Sequence, residues 1–401
     1  MLQPPPRIAH VITESTPFGG AQRNTLLTLG GLVQAGYEAE LLCGPGGPLI
    51  EEARAIAVPV HVIPDLIRPI DLLKDWRAYR HLHALFGRRR YDIVHTHSTK
   101  AGLLGRLAAR RAGVPVVVHT VHGVPFELKR DLKTRLYIGL ERLAASVTDC
   151  LVCVGETLRQ EQIAMGIAPP AKLVTIYSGI DFSTYVPQRS ALEQKHQLGL
   201  EEAWPIVGNI GRLSQQKAQY DLIEAVARLR EKYPRIRLLL VGEGELRPAL
   251  ERQIERRQLA SQVSLLGERQ DIADLLNIFD VYAASSRWEG VGRALSEAMY
   301  WGLPIVTTPV NGVKELIVHE QTGLHVPPGA PGALADAIDR LLSEHTLAKQ
   351  LGVQAQAKVR EIMDSQQMIR AIEALYRQLT RKNMPQTARD FSHASEGFED
   401  R

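Results

Sequence analysis

Two acidic residues eight positions apart, Glu289 and Glu297, bracket the turn Gly290-Val291-Gly292. Beyond it Ala294, Leu295, Ala298 and Met299 recur on one helical face. Gly302-Leu303-Pro304 stops that helix, and Ile305-Val306-Thr307-Thr308 reads as a short buried strand. Glu289 is therefore expected on a strand-to-helix loop and Glu297 in the first turns of the helix. Glycines there let the backbone approach a ligand closely, and the free N–H groups and positive dipole end of a helix favour a phosphate. A carboxylate beside a phosphate is repulsive unless it accepts hydrogen bonds from hydroxyls. The chemistry that fits both is a phosphorylated sugar, with Glu289 on a hexose and Glu297 on a ribose, as an acidic residue does in dinucleotide folds. The plainer reading of the same spacing is a capping Glu289 and a solvated Glu297, because helix starts favour acids anyway.

Upstream, Arg212 and Lys217 lie five apart in Gly211-Arg212-Leu213-Ser214-Gln215-Gln216-Lys217, between a strand at 205–209 and a helix at 220–232. Two cations on such a loop can clamp a diphosphate, Arg as a bidentate fork and Lys as a point charge. The alternative is surface solubility. Another strand, 236–241, ends in Gly242-Glu243-Gly244, and the strand 263–266 leads to Gly267-Glu268-Arg269. In the first half a buried strand, Arg7–Thr13, runs into a loop ending Phe18-Gly19-Gly20 and a helix from Ala21 to Ala35, with a second strand near 39–43. Strand, glycine loop, helix, strand is the opening of a parallel α/β sheet, whose carboxyl edge is where such sheets bind ligands. Alone, Gly19-Gly20 also fits a plain tight turn. His95, His97, His119 and His122 all fall at or near strand ends; no Cys or carboxylate joins them, and they read as polar residues filling the top of a sheet rather than as metal ligands.

The stretch SSRWEGVGRALSEAMYWGLPIVTTPVNGVKELIVHEQTGLHVPPG, Ser285 to Gly329, closely resembles the donor-site signature of family 4 retaining glycosyltransferases, enzymes of the GT-B fold. Ser286, Glu289-Gly290, Gly292, Glu297-Ala298-Met299, Gly302-Leu303-Pro304, Gly312, Glu315-Leu316 and Thr322-Gly323 match, and the two glutamates are that family's E-x7-E pair. Gly19-Gly20-Ala21 matches its GG-A loop at the donor phosphates and near the acceptor. GRL-x3-K at 211–217 matches its diphosphate pair, and VGEGELR from Val241 its base-binding crevice, where the base is met through backbone groups near Arg269. VVHTVHG and THSTKAGLLGRLAA resemble the subgroup that builds bacterial surface polysaccharides, in which the residue at the position of His122 reaches the donor sugar. The chain departs from the pattern at Val291 (an aromatic or leucine in the family), at Ala218 (Gly) and at Ser178 (Asn of an NGID turn). The resemblance covers about residues 7–379.

The formal charge of +4 over 401 residues is too mild for a nucleic-acid partner. Three cysteines and no secretory leader point to a reducing cytoplasm, and no apolar run is long enough to span a bilayer. Cys150 and Cys153 form a CxxC within a strand-like run, where positions three apart face opposite sides, against a redox pair or metal clip. Arg68–Arg90 is the most basic stretch, with seven cationic residues against two acidic ones and Leu72, Leu73, Trp76, Tyr79, Leu82 and Phe86 interleaved. It reads as an amphipathic helix with an apolar core face; its functional reading is docking on an anionic membrane surface.

Together these imply two Rossmann-like domains facing across a cleft: 1–185 on the acceptor side, 186–362 binding the nucleotide-sugar, a helix at 363–381 returning to the first domain, and a polar tail at 382–401, expected to be disordered. The implied activity is retaining transfer of a hexose from a nucleoside diphosphate sugar, with UDP-sugars common in the resembling enzymes, to a saccharide or lipid-linked acceptor. It needs no metal or other cofactor. His122, Glu289, Arg212 and Lys217 are the candidate catalytic residues. Gly19, Gly20, Gly242, Arg269, Gly290, Val291, Gly292 and Glu297 are the candidate donor contacts. The family's favoured mechanism is front-side attack with the leaving phosphate as base. The competing classes are a nucleotide-sugar 2-epimerase and a non-catalytic nucleotide-sugar-binding module.

Overall fold

The computed structural model describes residues 5–13, 19–123, 131–289 and 292–383. The chain divides into two units, Met1–Ile180 with Ser365–Arg401, and Asp181–Asp364. The candidate contacts Gly290 and Val291 and the tail beyond 383 lie outside the described residues.

The first unit carries seven strands: β1 (Arg7–Ile12), β2 (Glu38–Cys43), β3 (Val60–Val62), β4 (Ile93–His97), β5 (Val116–Val121), β6 (Cys150–Cys153) and β7 (Leu173–Thr175). All pair in parallel in the order β3-β2-β1-β4-β5-β6-β7. The second unit carries β8 (Ile206–Ile210), β9 (Arg237–Val241), β10 (Val263–Gly267), β11 (Val281–Ala284), β12 (Ile305–Thr307) and β13 (Leu324–His325), parallel in the order β10-β9-β8-β11-β12-β13. The strands are nearly continuous Val/Ile/Leu runs because helices cover both faces of each sheet. Each order reverses direction once, between β1 and β4 and between β8 and β11. Ligands of doubly wound sheets bind at the carboxyl end of that switch point.

Small residues set the helix-to-sheet distance. In the helix Thr99–Arg111, a methyl on Gly102 would fall 2.5 Å from the His119 ring and one on Gly105 2.8 Å from Thr96. The glycines of THSTKAGLLGRLAA thus serve packing. Cys150 and Cys153 are free and buried on opposite faces of β6, in different apolar clusters.

Two helices close the chain, His345–Ile362 and Ser365–Asn383, the second lying within two residues of the helix expected at 363–381. The second packs into the first unit's core through Met368, Ile369, Ile372, Leu375, Tyr376 and Leu379. Asn24 seals its start, donating to Ser178 Oγ at 2.9 Å and to Met368 Sδ at 3.0 Å. Ser178, the residue that departs from the family's Asn, accepts that bond.

The basic segment forms the helix Leu72–Arg89, whose first turn is capped by the Asp71 carboxylate accepting from the N–H groups of Leu73 and Lys74. Its apolar face is not the one expected. Ala78, Leu82, Leu85 and Phe86 are buried, but Leu72, Leu73 and Trp76 are exposed at 84%, 57% and 53%. On the helix Leu132–Ser146, Leu132, Leu136, Leu140 and Leu143 form a second exposed apolar stripe. No helix among the described residues is long and apolar enough to cross a membrane.

Candidate active site

The switch point of the second sheet is built by two loops, 211–218 after β8 and 285–289 after β11. Backbone and side-chain bonds zip them together. Arg287 N donates to Gln216 O at 2.7 Å, Ser285 Oγ bonds the carbonyls of Lys217 and Ala218 at 3.0 and 2.8 Å, and Gln216 Nε2 donates to Trp288 O at 3.1 Å. The zipper brings Lys217 against Glu289: Nζ lies 2.6 Å from Oε2, with the two side chains 21% and 13% exposed. Ser286 Oγ donates to the same carboxylate oxygen at 3.3 Å. Oε1 has no protein partner among the described residues, so the carboxylate keeps an acceptor face and the ammonium keeps spare N–H groups. The position that departs from the family's Gly, Ala218, is fully buried in the left-handed region at φ +50°.

The glycines of Gly242-Glu243-Gly244 are required by the neighbouring loop. A methyl on Gly242 would lie 2.3 Å from Gly211 O, and one on Gly244 2.3 Å from Leu213 O. They hold the loops after β8 and β9 in backbone contact, including Leu213 N to Glu243 O at 3.0 Å. Arg212 does not join Lys217. It is 67% exposed and paired with Glu245 at 3.0 Å, an exposed pair of small energetic weight.

Glu297 is not solvated but 6% exposed, in the helix Arg293–Tyr300. Its Oε1 accepts from Arg293 Nε at 2.9 Å and from the Tyr185 hydroxyl, while Arg293 Nη2 donates to that hydroxyl at 3.1 Å. Burial and the adjacent carboxylate push the Tyr185 phenol up to about 12, so it stays a donor. Oε2 has no protein partner among the described residues. Gly292, at φ +69°, is the N-cap of this helix, which has no side-chain cap, so its first-turn N–H groups have no capping partner among the described residues. Arg269 is forked onto Asp271 at 2.8 and 2.6 Å, which holds that carboxyl down at about 2. Its guanidinium is thus committed to the protein.

In the first unit, Gly19 is the N-cap of the helix Gly20–Gln34, and its N–H donates to Gln22 Oε1 at 3.1 Å. Neither Gly19 nor Gly20 has a positive φ, and among the described residues a methyl on Gly20 would meet nothing within 4 Å. The loop before them, residues 14–18, lies outside the described residues, and the tight-turn reading with it. Of the four histidines read from strand ends, His95, His97 and His122 come together, while His119 lies apart on Thr96 at 2.9 Å. His10, inside the apolar run of β1, joins the three. His97 Nδ1 lies 3.1 Å from His122 Nε2 and His97 Nε2 2.9 Å from His10 Nδ1. Burial drives His122 down to about 4 and His10 to about 3, and both are neutral at physiological pH. His10, His95 and His97 also offer ring nitrogens within 4.8 Å of one another, the only such group of possible metal ligands among the described residues.

Two parallel sheets of this order, with an acid–base pair at the second switch point and a terminal helix returned to the first unit, define a GT-B protein. HepE of Anabaena, solved in complex with UDP, shares the fold at TM-score 0.79, 23% identity, over 92% of this chain and 99% of that one. The family model described as Glycosyltransferase Family 4 matches residues 18–184, and that described as Glycosyl transferases group 1 matches 190–358. The UDP-Gal:alpha-D-GlcNAc-diphosphoundecaprenol alpha-1,3-galactosyltransferase of Escherichia coli is 34% identical over 347 residues, 85% of this chain and 89% of its own. The capsular polysaccharide biosynthesis glycosyltransferase CapM of Staphylococcus aureus is 26% identical over 79% of this chain and 84% of its own. The chain belongs to the family 4 glycosyltransferases.

Proposed function

We propose that this chain transfers a hexose, with retention, from a UDP-sugar to a hydroxyl of a saccharide or lipid-linked acceptor in cell-surface polysaccharide assembly. The observation that carries the reading is the Lys217–Glu289 pair at the carboxyl end of the second switch point. When the anomeric bond breaks, its electron pair goes to the leaving diphosphate. Lys217 and the N–H groups from Gly292 onward meet that charge, joined by Arg212 when it leaves its exposed pair with Glu245, and Glu289 orients the hexose hydroxyls. Glu297 Oε2 takes the ribose, with Tyr185 and Arg293 fixing the carboxylate from the other oxygen. Backbone groups near Arg269 and Gly242 meet the base, and Gly19, Gly20 and His122 serve the sugar and acceptor. Because cationic side chains and a helix start supply the neutralisation, transfer is expected to survive a chelator.

The donor base is drawn from the relative that uses UDP-Gal and from the HepE complex with UDP. The lipid-linked acceptor is drawn from the same relative, whose acceptor carries diphosphoundecaprenol. The exposed Leu72, Leu73 and Trp76 beside Lys74, Arg77 and Arg80 support an anionic membrane surface as a partner, and with it work at the inner face of the cell membrane.

A thermal-shift panel with UDP, GDP and ADP tests the donor site. A hundredfold excess over the dissociation constant stabilises the protein by about 2.7 kcal/mol. A shift with UDP alone is expected; no shift with any nucleotide would overturn the reading. Product analysis with UDP-galactose separates a new glycoside from an isomerised donor, which would mean an epimerase.

A further inference from the structure

His122 ends a hydrogen-bonded chain that runs through the middle of the first unit. His122 Nε2 meets His97 Nδ1 at 3.1 Å, and His97 Nε2 meets His10 Nδ1 at 2.9 Å. His10 Nε2 meets the Tyr376 hydroxyl at 3.2 Å, that hydroxyl meets His95 Nδ1 at 2.6 Å, and His95 Nε2 meets Thr120 Oγ1 at 2.7 Å. His10, His95 and His97 are completely buried, Tyr376 is 1% exposed and Thr120 3%. Burial holds all four imidazoles neutral. The rings of His10 and His97 stack at 5.1 Å and those of His95 and His97 at 4.6 Å, each pair tilted by 20°. A metal lies in the plane of every imidazole that binds it, and near-parallel planes share no nearby point. Both nitrogens of each of these rings are already engaged. The cluster is a hydrogen-bond chain and not a metal cage.

A neutral imidazole has one N–H and one lone pair, and the buried Tyr376 hydroxyl hydrogen needs one of its two neighbours as acceptor, so each link carries one proton and the links point the same way along the chain. Thr120 decides which way. Among the described residues its hydroxyl has a single partner, His95 Nε2. If His95 Nε2 carried the proton, the buried hydroxyl hydrogen of Thr120 would be left unpaired, which is costly. Thr120 therefore donates to His95 Nε2. His95 Nδ1–H then donates to the Tyr376 oxygen, Tyr376 to His10 Nε2, His10 Nδ1–H to His97 Nε2, and His97 Nδ1–H to His122 Nε2. Every buried proton is used, and the last one emerges on His122 Nδ1, which has no protein partner among the described residues.

We propose that this chain locks His122 as the neutral Nδ1–H tautomer, so that it serves the site as a hydrogen-bond donor to a sugar oxygen and not as a base. Thr120 and Tyr376 are then positioning residues: Thr120 sets the direction, and Tyr376, on the returning C-terminal helix, carries it from His95 to His10. The functional half rests on the reading that His122 reaches the donor sugar; the tautomer does not.

The test is long-range proton–nitrogen correlation NMR on the full chain labelled with nitrogen-15 histidine, without ligand. The expected pattern for His122 is a protonated Nδ1 and a lone-pair Nε2. Thr120→Val, nearly isosteric, and Tyr376→Phe each remove a proton that sets the direction, so the His122 nitrogen shifts should move toward the average of the two tautomers. A protonated Nε2 on His122 in the parent protein, His122 shifts unmoved in both variants, or stoichiometric zinc in the purified protein would each overturn the proposal. UDP-galactose turnover separates the two halves. His122→Asn keeps an N–H near the place of Nδ1 and should retain more turnover than His122→Ala. Equal turnover in both, with the tautomer as expected, would remove the sugar contact and leave the chain standing.

Discussion

Replacing Lys217 with Met removes a charge at the centre of the candidate site and has two separable consequences. With Nζ 2.6 Å from Glu289 Oε2, the pair attracts by about 6 kcal/mol at an effective dielectric of 20, and desolvation returns most of that. Breaking a fully buried pair costs about 3–5 kcal/mol; these side chains keep 21% and 13% of their exposure, so about 2 kcal/mol is expected. For a unit of this size that lowers Tm by about 4–8 °C. UDP binding falls separately. A lost charge-assisted bond to phosphate is worth about 1.5–3 kcal/mol, or about 10- to 150-fold in Kd. The stranded Glu289 carboxylate then repels the diphosphate as well, because among the described residues only Ser286 still donates to it, at 3.3 Å. Glu289→Gln added to Lys217→Met should therefore restore part of both the stability and the UDP affinity. Calorimetric UDP titrations and urea midpoints on the four proteins of this double-mutant cycle measure each effect. Binding by Lys217→Met within twofold of the parent would refute the assignment of Lys217 to the diphosphate. Strict additivity would refute the coupling.

Gly20→Ala should leave Tm unchanged or raise it slightly, since its methyl meets no atom of the described residues and Ala loses less entropy in a helix, while UDP-galactose turnover falls. Unchanged turnover would free Gly20 of any ligand role. Asp271 is held down to about 2, first by the hydrogen bonds from Arg269. A depressed folded value means its contribution is present above the ordinary carboxylate range and lost as pH falls toward about 2. Urea stability of Asp271→Asn should lie below the parent at neutral pH and converge with it in that acid window; parallel curves would refute the pairing. The protein should co-sediment with phosphatidylglycerol vesicles and not with neutral ones, and Leu73→Ser with Trp76→Ser should weaken that; binding independent of anionic lipid would remove the membrane reading.

What sequence could carry was decided by range. The two sheets were legible because strands buried on both faces are continuous apolar runs, and the loops between them are marked by glycines. Glu289, Glu297, Arg212 and Lys217 were legible as residue types at set spacings on those loops. Their partners were not. Lys217 and Glu289 are 72 positions apart, and nothing in either segment's periodicity says that the loops zip together. Arg212 looked like the equal of Lys217 because a loop position does not reveal whether the side chain turns inward, and here Glu245, 33 positions on, holds it at the surface. Glu297 read as a ribose contact or as a solvated helix-start acid, and its burial rests on partners that include Tyr185, from outside its helix.

His10 and the helix Leu72–Arg89 show the two opposite failures of pattern reading. A single histidine inside IAHVIT breaks an apolar run, and a buried polar side chain must find partners. That was a usable signal for a hidden contact, although the partners themselves, at His97 and Tyr376, come from another strand and from the far end of the chain. In the helix the signal misled. The stripe reads as one core face, but the core accepts only the later turns, Ala78 to Phe86, and Leu72, Leu73 and Trp76 in the first turns stay exposed. Leu132, Leu136, Leu140 and Leu143 are left outside in the same way. Periodicity reports that a face is apolar; only the depth of the neighbouring layer decides whether that face is spent on the core or left for a partner.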